Sequence, residues 1–257
     1  MYSIDLKGKT AVILGIANQR SIAASIAGIL QQSGASLAIT YQNDRILENV
    51  EKIVEPWEDA FMVECDVSSD ENVEAAFESI STHFGKIDII VHSIAFANRD
   101  DLGGRFINTD REGFRLALDI SAYSLIPVAR FGAPCMTDGG SIMTLTFQAS
   151  ERVFPGYNVM GTAKAALENE VIQLAHDLGP DGIRVNAISP GPLDTVSSRV
   201  ISGYKDMKRA HQTRSPMGRN VTHEEAAGTA LFLSSDLSTG ITGQIITVDT
   251  GYGIMGI

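Results

Sequence analysis

Short apolar runs of strand length alternate with stretches of helical period along the whole chain. That alternation restricts the fold to a mostly parallel sheet with helices on both faces. Residues 10–14, Thr-Ala-Val-Ile-Leu, read as a buried strand, and residues 21–32 place Ile22, Ile26 and Ile29 near one helical face before Gly34. Residues 36–41 read as the next strand. The same succession predicts strands at 61–63, 87–92, 141–145, 183–188 and 244–248, with helices at 72–83, 112–136, 157–178 and 223–233. The expected architecture is a doubly wound α/β fold. A length of 257 residues suits one large α/β domain, 1–257, and a 44% hydrophobic content is enough to fill its core. The least regular stretch, 190–219, reads as a substrate-binding lid, because a loop that long inside a compact domain has a use.

Charge narrows the partners. Lys and Arg total 20 against 31 Asp and Glu, a net −11 that offers no general affinity for nucleic acid or an anionic membrane. No uncharged apolar run approaches the roughly 20 residues that cross a bilayer. The N-terminus has no basic segment followed by an apolar one. Cys65 and Cys135 lie far apart without metal-ligand spacing, so they read as ordinary thiols and no metal site is expected. A reducing, cytoplasmic setting is the expectation.

After the first strand the chain runs Gly15-Ile-Ala-Asn-Gln-Arg-Ser21-Ile22. Gly15 allows a tight strand-to-helix turn where a side chain would crowd a diphosphate. Ser21 caps or begins the following helix, whose free amides attract an anion. This departs from the three-glycine dinucleotide fingerprint, and alone it equally describes a serine-capped helix. Other strand ends point the same way: Gln42 follows the second strand, Asp66-Val67 the third and Ser93-Ile94-Ala95 the fourth. Parallel sheets bind ligands beside the carboxyl ends of their strands, which makes a Rossmann-like nucleotide site the expectation. Asp66 reads as an acceptor for an adenine amino group or as a local turn cap. The small Ser93 and Ala95 leave room for a nicotinamide.

Tyr157 and Lys164 are seven residues apart, almost two helical turns, and on that spacing share a face. A tyrosine there can donate a proton or a hydrogen bond to developing negative charge. A lysine can hold cofactor ribose hydroxyls and favour the tyrosine's anionic form. The competing reading is a phenol packed at a helix start and an exposed lysine.

Taken in order, Gly15-Ile-Ala-Asn-Gln-Arg-Ser-Ile-Ala, Thr40-Tyr-Gln-Asn-Asp, Cys65-Asp-Val, His92-Ser-Ile-Ala-Phe-Ala, Tyr157-Asn-Val-Met-Gly-Thr-Ala-Lys and Arg184-Val-Asn-Ala-Ile-Ser span nearly the full sequence. Together they resemble the bacterial enoyl-acyl-carrier-protein reductases of the short-chain dehydrogenase superfamily. The resemblance implies reduction of the trans-2 double bond of an enoyl thioester on acyl carrier protein, in fatty acid elongation, by a homotetramer. It implies hydride delivery to the β carbon, an enolate at the thioester oxygen and protonation at the α carbon. On that reading Tyr157 stabilises the enolate and Lys164 anchors the cofactor. The backbone near Leu193 and the hydroxyl of Thr195 contact the nicotinamide amide or diphosphate, and Ala97 lies near the substrate.

The resemblance favours NADH over NADPH, and Gln42-Asn43-Asp44 gives a reason. Asp44 would repel a 2′-phosphate, although Arg45 could pair with one and the whole segment could be a solvated turn that sets no preference.

Three departures stand out. Phe147 occupies the position of the family's second tyrosine, ten residues before Tyr157, and its ring lacks the hydroxyl. Pro190 stands where these reductases carry Ala, and Asp194 where they carry a basic residue. The region around Pro190 is closer to the wider superfamily, which keeps a carbonyl reductase or hydroxyacyl dehydrogenase as the alternative enzyme. Against it, Met160 stands four residues before Lys164, where that group has its tyrosine, and Phe147 lacks the hydroxyl its serine supplies. A catalytically weakened nucleotide-binding scaffold is the non-enzyme alternative.

Overall fold

Every residue of β1 (Thr10–Leu14) is buried, as befits a strand covered on both faces. Ala11 and Ile13 face one core, while Val12 and Leu14 face the other, following the two-residue period of a strand. The structure, a computed structural model, describes residues 4–57, 59–195, 198, 201 and 203–256. From β1 the chain continues through α1 (Ile22–Gln32), β2 (Ser36–Tyr41), α2 (Asp44–Val54), β3 (Phe61–Glu64), α3 (Asp70–Phe84) and β4 (Ile89–His92). There follow α4 (Arg111–Leu118), α5 (Leu125–Gly132), β5 (Gly140–Leu145), α6 (Val159–Leu178) and β6 (Ile183–Pro190). The last elements are α7 (Tyr204–Arg214), α8 (His223–Ser234) and β7 (Ile245–Val248).

The strands form a seven-stranded sheet in the order β3-β2-β1-β4-β5-β6-β7, parallel at every pairing. One face packs on α1, α2 and α8 through residues such as Ile26, Leu30, Val50 and Leu233. The other packs on α3, α5 and α6 through Phe77, Ile80, Leu125, Leu167 and Val171. This is the expected doubly wound fold. The chain leaves β1 toward β2 and β3, then returns to β4 on β1's opposite side, so the strand order reverses between β1 and β4. Loops leaving those two strands diverge and open a crevice at their carboxyl ends.

Three local expectations are corrected. The helix read across 112–136 is broken: α4 ends at Leu118, residues Asp119–Tyr123 form a π-helical turn, and α5 begins at Leu125. The strand read from residue 87 begins at Ile89. The irregular 190–219 segment contains α7, eleven residues long. The stretch Arg111–Cys135 is long and apolar enough by composition to cross a membrane, but half of it is buried, with α4 and α5 packed against α6 and α5 also against α3.

Candidate active site

The loop leaving β1 is built around a close approach. Gly15 has φ +102°, and a Cβ there would lie 2.0 Å from the Ser93 carbonyl oxygen at the exit of β4. The side chain excluded at Gly15 is therefore excluded first by protein backbone. Ser93 N–H donates to Leu14 O at 3.0 Å, pinning the two exits together. Ser21 stands at the N-cap position of α1, but its hydroxyl makes no bond to that helix. It instead accepts from the Ala17 and Asn18 amides at 3.1 Å each, closing the loop on itself. That leaves the Ile22 and Ala23 amides, at the helix's positive end, uncovered by the serine. Ile22 packs on Leu193, Val221 and Ala226, tying α1 to the segment after β6.

At the next strand ends, Gln42 is exposed and its amide donates to Asp66 Oδ2 at 3.5 Å. Asp66 Oδ1 accepts from the Ser68 amide at 3.0 Å and hydroxyl at 2.8 Å, so the local turn cap read from the sequence is present. Oδ2 stays on the Gln42 side. Val67 and Ile94 pack half-buried on the α3–α5–α6 core. Asn43 caps α2, accepting from the Ile46 amide at 3.3 Å, and Asp44 and Arg45 are the helix's first residues. All four residues 42–45 are exposed, with Gln42 and Asn43 in a bend and Asp44 and Arg45 opening α2, so the solvated reading holds while the turn gives way to a helix after Asn43.

Lys164 is 4% exposed and donates from Nζ to Leu145 O at 2.8 Å, at the carboxyl end of β5. Its two remaining N–H donors have no acceptor among the described residues. Burial pushes its pKa down to about 8, against the opposing pull of the nearby Glu168 carboxylate. His92, fully buried at the end of β4, bonds Thr144 Oγ1 at 2.9 Å and Ser124 Oγ at 2.8 Å. Burial, reinforced by the Lys164 charge, brings His92 down to about 3, so Lys164 has a neutral imidazole for a neighbour.

Tyr157 stands two residues before α6 begins, so helical periodicity does not set its relation to Lys164 as the spacing argument assumed. Its ring is half-buried against Phe147, with centroids 5.1 Å apart, and Phe147 packs on Phe154 at 4.7 Å. Phe147 is 8% exposed. Burial raises the Tyr157 pKa, and Tyr204 of α7 raises it further. Both effects oppose the anionic form that Lys164 was expected to favour, so Tyr157 is an O–H donor.

After β6, Leu193 is buried and its carbonyl accepts from the Tyr204 hydroxyl at 2.5 Å. The Thr195 hydroxyl accepts from the Ser198 amide at 3.0 Å. Asp194 pairs with Lys208 of α7, which gives the departure at that position a local ion-pair role. His211 of α7 stacks on Tyr252 at 3.6 Å and lies 6.2 Å from Phe154, extending the aromatic contact from Tyr157 to α7. Ala97 is half-buried in the loop after β4, where the Ser121 hydroxyl holds both the amide and the carbonyl of Phe96 at 2.9 Å. Sequence reasoning did not single out Tyr204 or Ser121, and quoted His92 only as the start of a motif. The buried polar runs around them were the available signal.

The predicted residues therefore gather at the carboxyl edge of one sheet, beside the β1/β4 reversal. The family described as enoyl-(acyl carrier protein) reductase matches residues 15–253. The enoyl-acyl-carrier-protein reductase (NADH) of Bacillus cereus is 49% identical over 253 residues, covering 98% of this chain and 99% of that one. The NADPH enzyme of Staphylococcus aureus is also 49% identical, over 251 residues, covering 97% of this chain and 98% of that one. A crystal structure of the Bacillus cereus reductase with NADP+ and indole naphthyridinone superposes with a TM-score of 0.96 at 49% identity, over 98% of this chain and 100% of that one. The Aquifex aeolicus reductase gives 0.95 at 43% identity, over 98% and 99%. With relatives this similar from end to end, the chain belongs to the enoyl-acyl-carrier-protein reductase family of the short-chain dehydrogenase superfamily.

Proposed function

We propose that this protein reduces the trans-2 double bond of an enoyl thioester on acyl carrier protein, in fatty acid elongation, with NADH preferred to NADPH. One observation carries the reading. A buried lysine with spare N–H donors lies at the end of β5, the strand whose exit loop brings a protonated, half-buried tyrosine against Phe147. The spare donors suit a ribose diol, and the α1 amides left uncovered by Ser21 suit a diphosphate. Gly15, Ser21 and Ile22 would hold that diphosphate, Gln42 the adenosine ribose, and Asp66 with Val67 the adenine. Ser93, Ile94, Leu193 and Thr195 would border the nicotinamide, and Lys164 would hold its ribose. When bound, the reduced cofactor supplies a hydride.

Tyr157 donates its O–H to the thioester oxygen as negative charge builds there, and its raised pKa keeps the proton in place for that role. Phe147 and Ala97 supply apolar contact for the acyl group, and the 190–219 segment, stiffened by α7, closes over it. The carbonyl-reducing alternative lacks its hydroxyl at Phe147 and its tyrosine at Met160, whose sulfur instead lies 3.7 Å from Ser121 Oγ. The domain 1–257 works in a cytoplasmic homotetramer. Cys65 and Cys135 are free, in keeping with a reducing compartment.

Asp44 at the head of α2 supports the NADH preference by like-charge repulsion of a 2′-phosphate. Measuring kcat/KM for NADH and NADPH with the same enoyl thioester tests both parts. Turnover favouring NADH is the expected result. No turnover with either cofactor overturns the activity, and an NADPH advantage overturns the preference.

The Lys164 pKa of about 8 predicts a pH effect. In the free enzyme its charge is present below that pH and is lost above it, so NADH affinity weakens as pH rises through about 8. In Lys164→Ala affinity is low throughout and that inflection disappears. NADH fluorescence titration of both proteins from pH 6.5 to 9.5, values chosen to bracket the shift by about 1.5 units, checks this without any turnover.

A further inference from the structure

We propose that Asn158 is a positioning residue whose side-chain amide ties the 99–108 segment to the turn carrying Tyr157, coupling the order of that segment to the aim of the phenol. The proposal rests on the reading of Tyr157 as the donor to the developing oxyanion.

Asn158 has φ +40° and ψ −120°. The Met160 amide donates to Tyr157 O at 3.1 Å, closing a four-residue turn with Asn158 in its first central position. These angles are those of a type II′ turn, where that position calls for glycine because an L side chain is strained there. The ψ also lies outside the small left-handed region that asparagine tolerates. A glycine would satisfy the backbone at lower cost, so the side chain is what needs explaining.

It has one clear engagement: Asn158 Nδ2 donates to the carbonyl of Gly103. Gly103, itself at φ +90°, sits between the 3₁₀ turns Arg99–Asp101 and Phe106–Asn108. That segment continues from the loop bearing Ala97 and exposes Phe106 by 53% and Ile107 by 77%, an apolar surface suited to an entering acyl chain. The segment also packs on α4 at the buried Asp101, whose carboxylate fills the space a Cβ on Gly113 would need, 2.1 Å away, but makes no hydrogen bond there through Oδ2. The Asn158 amide is therefore the polar tie between the segment and the Tyr157 turn among the described residues. Backbone strain retained next to a reacting group, with a side chain that spans to the substrate approach, is the pattern expected when position matters more than local stability.

Asn158→Gly and Asn158→Ala separate the two contributions. Glycine removes the strain and the tether together; alanine keeps the strain and removes the tether. For Asn158→Gly we expect an unchanged or higher Tm, at least tenfold faster hydrogen exchange in residues 102–107, and at least a tenfold lower kcat with an unchanged KM for NADH. Asn158→Ala should show the same exchange and kcat changes with a lower Tm. Unchanged exchange in Asn158→Gly overturns the tether, whatever the turnover. Faster exchange with full kcat overturns its role in aiming Tyr157. A wild-type protein with no enoyl turnover overturns the catalytic reading of Tyr157 and the coupling with it, while exchange still decides the tether.

Discussion

Tyr157→Phe is expected to lower kcat for enoyl reduction about 10²–10³-fold, equivalent to about 2.7–4 kcal/mol, with fold and NADH affinity intact. The substitution removes one hydroxyl and keeps the ring that packs on Phe147. Burial and Tyr204 hold the phenol protonated, so on the proposed role what is lost is a donor to charge that exists only near the transition state. The loss therefore falls on kcat and kcat/KM together. Phe147→Tyr, by contrast, places a hydroxyl beside the same ring and should preserve or raise turnover. A large loss in that variant, with unchanged folding, would mean that the pocket is built around phenylalanine. Steady-state kinetics and circular dichroism on the two variants distinguish these outcomes. Wild-type kinetics in Tyr157→Phe would remove the tyrosine from the mechanism.

Gly15→Ala should be the most damaging small substitution at the cofactor end. It combines a strained φ of +102° with a Cβ 2.0 Å from the Ser93 carbonyl oxygen, a backbone atom that cannot rotate away. Strain and overpacking together give a destabilisation of about 2–6 kcal/mol, a Tm lower by roughly 4–24 °C. The exits of β1 and β4 must part to relieve the clash, so NADH affinity should fall with stability. Gly85→Ala is the control: its φ is +81°, but nothing lies within 4 Å of the added carbon. It should cost only the backbone strain, about 1–3 kcal/mol, and leave NADH binding alone. Thermal denaturation of both variants checks the contrast. Equal Tm losses would show that the Gly15–Ser93 approach contributes nothing.

The centre of the sheet was legible because β1, β4 and β5 are buried on both faces and read as apolar runs, whereas the edge strands β3 and β7 are only partly covered. The bounds of β1 and β2 match the sequence reading. Helix α2 was not read, since Gln42-Asn43-Asp44-Arg45 also fits a recognition segment, which obscures Asn43 as a cap and Val50, Ile53 and Val54 as a buried face. The break at Asp119–Tyr123 was not visible because a π turn adds a residue without removing apolar character from the run. At the site, the strand ends could be read, because their position along the alternation specifies them. Side-chain direction could not. The Ser21 hydroxyl turns into its own loop, Asp66 is divided between Ser68 and Gln42, and Tyr157 precedes the helix assumed to orient it. The backbone of Asn158 was equally hidden, since asparagine is compatible with ordinary conformations as well as rare ones.

The central claim is the choice of bond reduced. Mass spectrometry of the products formed from an equimolar mixture of a trans-2-enoyl and a 3-oxoacyl thioester, each on acyl carrier protein and with NADH in excess, tests it most directly. The saturated acyl product from the enoyl substrate, with the 3-oxoacyl substrate recovered unchanged, is the predicted result. Formation of the 3-hydroxyacyl product with the enoyl substrate untouched would contradict it.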